Sequence, residues 1–284
     1  MSSRAERVPV GARPWVENAP PRRGVPRLHA RELWTYRELA LILAQKDLKV
    51  RYKQTVFGVA WALLQPLIGV VIFTIFFGRL AHLPTNGIPY PVFAYAGLTI
   101  WLYASTAVTT AAQSLVDNRD LVTKVYFPRL LAPLAAVVPG LVDYAASLAV
   151  IAVLLAVYGV APGLALALLP LLVASAMLVA AGLGMLLAAV NVKYRDVRHA
   201  LPFLLQVWLF GSPVVYSASI VHGGWRYAFA ANPMVTVIEG ARWSLARGPA
   251  PGAPSLVSLL VVVGLLAAGF LYFRRVEREF ADVI

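Results

Sequence analysis

Arg51-Tyr52-Lys53-Gln54-Thr55 leads straight into residues 56–77, 22 residues without one charged side chain. Wound as a helix at 1.5 Å per residue, such a run is long enough to cross a hydrocarbon core about 30 Å thick. The residues before it have the opposite character. Over 33–54, at 100° per residue, Glu38, Gln45, Lys46, Lys49 and Lys53 fall on one narrow polar wedge, and Trp34, Ala40, Leu41, Ala44 and Leu48 on the apolar remainder. A helix of that pattern lies in the membrane interface with its cationic wedge among headgroups and water. The chain lies on a membrane, turns and crosses it. The expected fold class is an all-α integral membrane protein.

Composition agrees. Of 284 residues, 60% are apolar and only 13% charged, against roughly 25% charged in soluble domains. The net charge of +12 would suit a nucleic-acid binder, but the cations sit between apolar runs and form no stripe, so no nucleic-acid partner is expected. With no cysteine there is neither a disulfide nor a thiolate metal site. The first 54 residues hold no uninterrupted apolar run, so no cleavable signal peptide is expected and the first span serves as the insertion signal.

Two regions follow. Residues 1–31, with seven Arg and five Pro, read as a disordered basic tail, each cation worth about 1 kcal/mol beside anionic headgroups. Residues 32–284 read as one transmembrane domain: the interfacial helix at 33–54, then spans at 56–77, 92–116, 130–157, 164–192, 200–221 and 256–273. Pro202, Gly211 and Pro213 interrupt the fifth run, which is kinked or ends near Gly211. With the amino terminus inside, 21 of the 25 Lys and Arg fall on the cytoplasmic side, placing both termini there in a cytoplasmic (inner) membrane. Only Arg79, Arg226, Arg242 and Arg247 fall outside. In the last external connection, Asn232-Pro233 reads as an N-cap and first helical position, and Gly248-Pro249 as a stop. The helix between them is expected to be amphipathic in the outer leaflet, or one half of a re-entrant hairpin.

The chain carries no nucleotide-hydrolysing apparatus of its own. None of its five lysines follows a glycine, so no phosphate-cradling loop is present, and His29, His82, His199 and His222 lack metal-ligand spacing. No metal site is expected. The connection Asp117-Asn118-Arg119-Asp120-Leu121-Val122-Thr123-Lys124-Val125-Tyr126-Phe127-Pro128-Arg129 alternates charges with an apolar cluster, Val125, Tyr126 and Phe127. Apolar side chains shown to the cytosol mark a protein contact or burial among headgroups; both readings stand. Asn191-Val192-Lys193-Tyr194-Arg195-Asp196-Val197-Arg198 is a compact charged turn, read as an anchor. Asp143 is the only acid inside a span; without an embedded basic partner it is expected to act as a structural hydrogen-bonding group. Trp61, Phe73, Phe76, Phe203, Trp208, Phe210 and Tyr216 sit deep or on the broken fifth run. Their faces suit either lipid packing or stacking on sugar rings.

Five ordered stretches resemble one family: Arg51-Tyr52-Lys53-Gln54-Thr55 with Gly58-Val59-Ala60-Trp61-Ala62-Leu63-Leu64-Gln65-Pro66-Leu67; Lys124-Val125-Tyr126-Phe127-Pro128-Arg129; Asn191–Val197; Gly211-Ser212-Pro213-Val214-Val215-Tyr216; and Asn232-Pro233-Met234. These are similar to the permeases of ABC-type polysaccharide exporters, the O-antigen, teichoic-acid and capsule export family of the second ABC class. The resemblance covers about residues 33–273. It implies a homodimer of six-helix subunits with a channel between them, carrying lipid-linked polysaccharide outward. A separate cytoplasmic ATPase subunit, in two copies, would hold the ATP and magnesium, so this chain would be a transport subunit and no enzyme. By the same resemblance Lys46, Lys49, Arg51, Tyr52 and Lys53 belong to a gate helix. Asp117, Asn118, Arg119, Asp120, Lys124, Val125, Tyr126, Phe127 and Pro128 form a coupling loop on the ATPase. The seven deep aromatics become candidates for the channel wall, and the segment around Asn232 becomes a re-entrant pair near the outer exit. The alternatives are an exporter of the same architecture carrying a drug or lipid, an ion-coupled carrier, and a polytopic sugar-lipid or acyl transferase.

Overall fold

The computed structural model describes residues 30–53, 60–125, 127–277 and 280. All regular structure among them is helical: α1 (Ala30–Thr35), α2 (Arg37–Tyr52), α3 (Ala60–Phe73), α4 (Tyr90–Asp117), α5 (Arg119–Lys124), α6 (Leu131–Ala136), α7 (Gly140–Val157), α8 (Leu169–Lys193), α9 (Val197–Phe210), α10 (Trp225–Phe229), α11 (Pro233–Ala246) and α12 (Ser255–Val276). The expected tail lies outside the described residues up to 29, as do Tyr126 and the junction at 54–59.

The second run is the hub. Pro89 and Pro91 set the start of α4, where the missing N–H groups cost nothing, and Asn118 ends it by donating Nδ2 back to the Ser114 carbonyl at 2.8 Å. Around it pack α3, α6, α7, α8, α9 and α11. Its interior face is rich in alanine (Ala94, Ala96, Ala104, Ala107, Ala111, Ala112, all buried). Lipid tails are as apolar as leucine, so helices in a bilayer are held by close van der Waals contact, which small side chains permit. Gly184 of α8 meets Ala111 so closely that a Cβ there would lie 2.4 Å from the Ala111 Cβ. Between α8 and α12 the approach is backbone to backbone: a Cβ on Gly269 would stand 2.2 Å from the Gly182 carbonyl oxygen. Five Ser and Thr hydroxyls of α4 bond within their own helix: Thr99, Ser105, Thr109, Thr110 and Ser114 donate to the carbonyls of Tyr95, Leu102, Ser105, Thr106 and Ala111, and that of Thr110 also reaches the Ala136 carbonyl on α6 at 2.9 Å. A second apolar cluster closes one end of the bundle, where Leu115, Phe127, Met185, Val192, Phe273 and Phe280 meet.

Several expected elements differ in detail. The interfacial helix is broken at Tyr36 into α1 and α2, and α2 packs on α6 rather than lying only against lipid. In the first run Pro66 sits inside α3, and Thr74–Leu80 continues it as a π-helix. The third run splits into α6 and α7 at Val137-Val138-Pro139, where proline supplies no N–H. The fifth run does not reach residue 221. It ends as the 14-residue α9 at Gly211, about 21 Å long at 1.5 Å per residue. Five described helical stretches, not six, are long and apolar enough to cross a membrane. Nor does α11 lie as an amphipathic helix with one face to lipid: Met234, Val237, Ile238 and Ala241 are buried against α4, α8 and α12.

Candidate functional site

At the basic end, α2 is tied to two other elements. Leu43 and Ala44 are buried under it, and Lys46 Nζ donates to Asn118 Oδ1 at 2.5 Å. One turn further, Arg51 Nη1 donates to Asp143 Oδ2 on α7 in an ion pair. This corrects the expectation for Asp143, whose basic partner comes from the interfacial helix rather than from a span. Sequence order hid it, because the two residues are 92 positions apart. Lys49 and Lys53 remain exposed and Tyr52 is half-buried. Asp47, beside Lys46, has its pKa raised above the ordinary 3.8: burial raises it most, Lys46 opposes, and Asp117 adds repulsion.

Asn118 is also the start of α5, its carbonyl accepting from the N–H groups of Leu121 and Val122 at 2.9 and 3.0 Å. Asp117, Arg119, Asp120 and Lys124 are exposed, with Lys124 3.4 Å from Asp120. The apolar cluster after them divides. Val125 is exposed, whereas Phe127 is 4% exposed and belongs to the second apolar cluster, with Pro128 buried beside it. Phe127 is thus a core residue and not part of a cytosol-facing patch: an aromatic ring beside an open end of the bundle is drawn in to close it.

The deep aromatics fall into two groups. Trp61 and Phe76 on the α3 run, and Phe203 and Phe210 on α9, are each more than half exposed. Phe73, Trp208 and Tyr216 are half-buried and packed: Phe73 edge-on against Phe77 at 5.8 Å, and Trp208 edge-on against Trp101 at 5.1 Å. The Tyr216 hydroxyl donates to the Phe210 carbonyl at 3.0 Å.

At the other end of α4, two of the quoted sequence stretches meet. Asn232 caps α11 as expected, Oδ1 accepting from Met234 N at 3.1 Å. The same oxygen accepts from Trp208 Nε1 at 3.0 Å, and Nδ2 donates to the Gly211 carbonyl and the Ser212 hydroxyl at 3.0 and 2.8 Å. Arg242 completes the clamp from within. It is fully buried and donates to the carbonyls of Phe93, Pro213, Val214 and Tyr216 and to Glu239 Oε1. Its guanidinium lies 3.4 Å from the Phe93 ring centroid. Burial lowers its pKa to about 10, with Glu239 opposing, so it stays charged at neutral pH. Counting cations by loop missed this residue. The legible signal was Glu239 and Arg242 three apart on an otherwise apolar helix, together with Gly97, where a Cβ would come within 2.6 Å of Arg242 Nη2.

Among the described residues no group of three His, Asp or Glu side chains could hold a metal. A bundle of apolar spans around one buried hub, with a cationic helix bonded to a charged loop at one end, is the architecture of an all-α polytopic membrane protein. The chain belongs to the ABC-2 type transporter family, whose signature matches residues 38–246. It is similar to the O-antigen export system permease protein RfbA of Myxococcus xanthus, 34% identical over 258 residues, which is 89% of this chain and 98% of that protein. It is also similar to RfbA of Klebsiella pneumoniae, 25% identical over 250 residues, 87% and 95% of the two chains.

Proposed function

We propose that this chain is the transmembrane subunit of an ATP-driven exporter that moves a lipid-linked cell-envelope polysaccharide outward across the cytoplasmic membrane. The observation that carries the reading is end-to-end similarity to O-antigen export permeases, at 34% identity in one of them. Two copies enclose the path, and both termini are cytoplasmic, as the bias of Lys and Arg supports. ATP and magnesium are bound by two copies of a separate ATPase subunit, and this chain catalyses nothing. The Lys46–Asn118 bond supports treating α2 and α5 as one ATPase-facing unit, with Arg119, Asp120, Lys124 and Val125 offered outward. The exposed Trp61, Phe76, Phe203 and Phe210 are the side chains available to stack weakly on passing sugar rings. A polymer needs many such shallow contacts and no deep trap.

The test is purification from native membranes in mild detergent, with mass spectrometry of what stays bound, and surface glycan measured in a deletion strain. A stoichiometric ATPase subunit and loss of surface polysaccharide are expected. A permease recovered without any ATPase, or a deletion that leaves the surface glycan intact, refutes the assignment.

A further inference from the structure

Two guanidinium groups anchor this fold, Arg242 near the start of α4 and Arg51 through Asp143 beside its middle, and they are built differently. Arg242 is wholly enclosed, and its withdrawal would strand four carbonyls and a carboxylate. Arg51 bonds one acceptor among the described residues, Asp143, and the two side chains keep 23% and 24% of their surface. The other oxygen of Asp143, Oδ1, is buried with no hydrogen-bond partner among the described residues, and so is the hydroxyl of Tyr144. Both residues line a cavity of about 60 Å³ between α3, α4 and α7, whose wall also carries Gln65, Thr99, Thr106 and Ser147. An enclosed water needs roughly 10–15 Å³ of such space, so this cavity has room for several, with polar groups to hold them.

An ionised carboxylate left alone in a bundle costs several kcal/mol. Asp143, facing a wettable polar cavity, has a second place for its charge. The pair therefore has two tenable arrangements: closed, with Arg51 on Asp143, and open, with Arg51 withdrawn and Asp143 hydrated from the cavity. The same helix is bonded through Lys46 to Asn118 at the head of α5. A displacement of α5 is transmitted along α2 to Arg51.

We infer that the Arg51–Asp143 pair is a releasable latch, a positioning contact that holds α2 against α7 at rest and opens when the ATPase subunit moves α5. This rests on the exporter reading above for what drives it, but the latch itself is a property of the permease alone. Arg51 and Asp143 act through helix position and touch no cargo in this role.

The chain has no native cysteine, so spin labels can be placed on Val50→Cys and Val138→Cys, both exposed, in the full-length permease diluted with unlabelled copies. The dipolar signal reports the separation of α2 from the start of α7. In the resting permease one short separation is expected. Asp143→Asn, or Arg51→Gln as an independent variant, should move most of the population to a longer separation without nucleotide, and Arg51→Lys should retain the short one. In the complex, trapping with ATP and vanadate should produce the same longer separation in the parent protein. Glycan exported per ATP hydrolysed should fall at least tenfold in Asp143→Asn. The latch is refuted if both neutral variants keep the resting separation, or if trapping leaves it unchanged in a complex that hydrolyses ATP. If no ATPase subunit binds, the exporter reading fails, and the variants in the isolated permease still decide the latch.

Discussion

Replacing Arg242 by methionine keeps most of the side-chain volume and removes every hydrogen bond the guanidinium makes. The carbonyls of Phe93, Pro213, Val214 and Tyr216 lose a donor, and among the described residues Glu239 keeps only its bond from the Ala218 N–H at 2.9 Å. Removing one partner of a buried ion pair costs about 3–5 kcal/mol, because the other charge stays behind unpaired. Taking about 4 kcal/mol, at 1.4 kcal/mol per factor of ten, opening of the segment after α9 should become about a thousandfold more frequent. The effect should be local, since α4 keeps its contacts with α7 and α8. Amide hydrogen exchange on detergent-solubilised protein reads it directly: faster exchange at Ala218 and through 213–218, with the middle of α4 unchanged. Glu239→Gln combined with Arg242→Met should recover part of the loss, because no charge is then stranded. Exchange at Ala218 within threefold of the parent protein in Arg242→Met would refute the clamp.

Three further outcomes are expected. Phe127→Ala should lower stability by about 3–5 kcal/mol, as for other buried aromatic truncations, read as a loss of folded yield and a lower Tm; its effect on ATPase binding then cannot be separated from folding, and Val125→Asp is the cleaner probe of the outward face. Gly269→Ala must push α12 from α8, since 2.2 Å to a carbonyl oxygen is about 1 Å inside contact distance; a cost of about 1–3 kcal/mol is expected, checked by thermal unfolding in detergent beside Gly264→Ala, where nothing lies within 4 Å. Asp47 has a raised pKa in the folded chain, so the folded state binds its proton more readily than the unfolded one; stability should fall as pH rises from about 3.8 through the raised value, and Asp47→Asn should flatten that slope in a pH series of Tm values.

Much of the architecture was legible because a bilayer imposes a simple rule of length and charge. The runs at 92–116, 164–192 and 256–273 return as α4, α8 and α12 with ends shifted by a few residues, and Asn232 caps its helix as the Asn-Pro pair promised. What composition could not show was which apolar helix faces protein. Residues 233–246 and 197–210 look alike in apolar content, yet the first is buried and the second shows Phe203, Leu204, Val207 and Phe210 outward. The difference lies in partners: Gly97 and Gly240 give α11 room against its neighbours, and no periodicity in one segment encodes that. The same limit hid the ends of both long-range clamps. Arg51 was counted among the cytoplasmic cations and Arg242 among those outside, because counting charges by loop assumes that every cation seeks water.

The Ser and Thr hydroxyls of α4 that bond back along their own helix bear on how the protein is made. A ribosome delivers α4 to the membrane before α8, α11 and α12 exist, so the helix that ends most buried must first wait among lipids. Five of its hydroxyls are already bonded to carbonyls three or four residues earlier in the same helix. Those five hydroxyls can therefore enter the bilayer without waiting for acceptors from helices not yet synthesised. Asn191 is the counterexample on α8: its Nδ2 donates across to the Ala112 carbonyl at 3.0 Å, and by the time it emerges α4 is there to receive it. The order of synthesis and the pattern of bonding agree, and assembly can proceed as each later helix docks on a hub already at rest in the membrane.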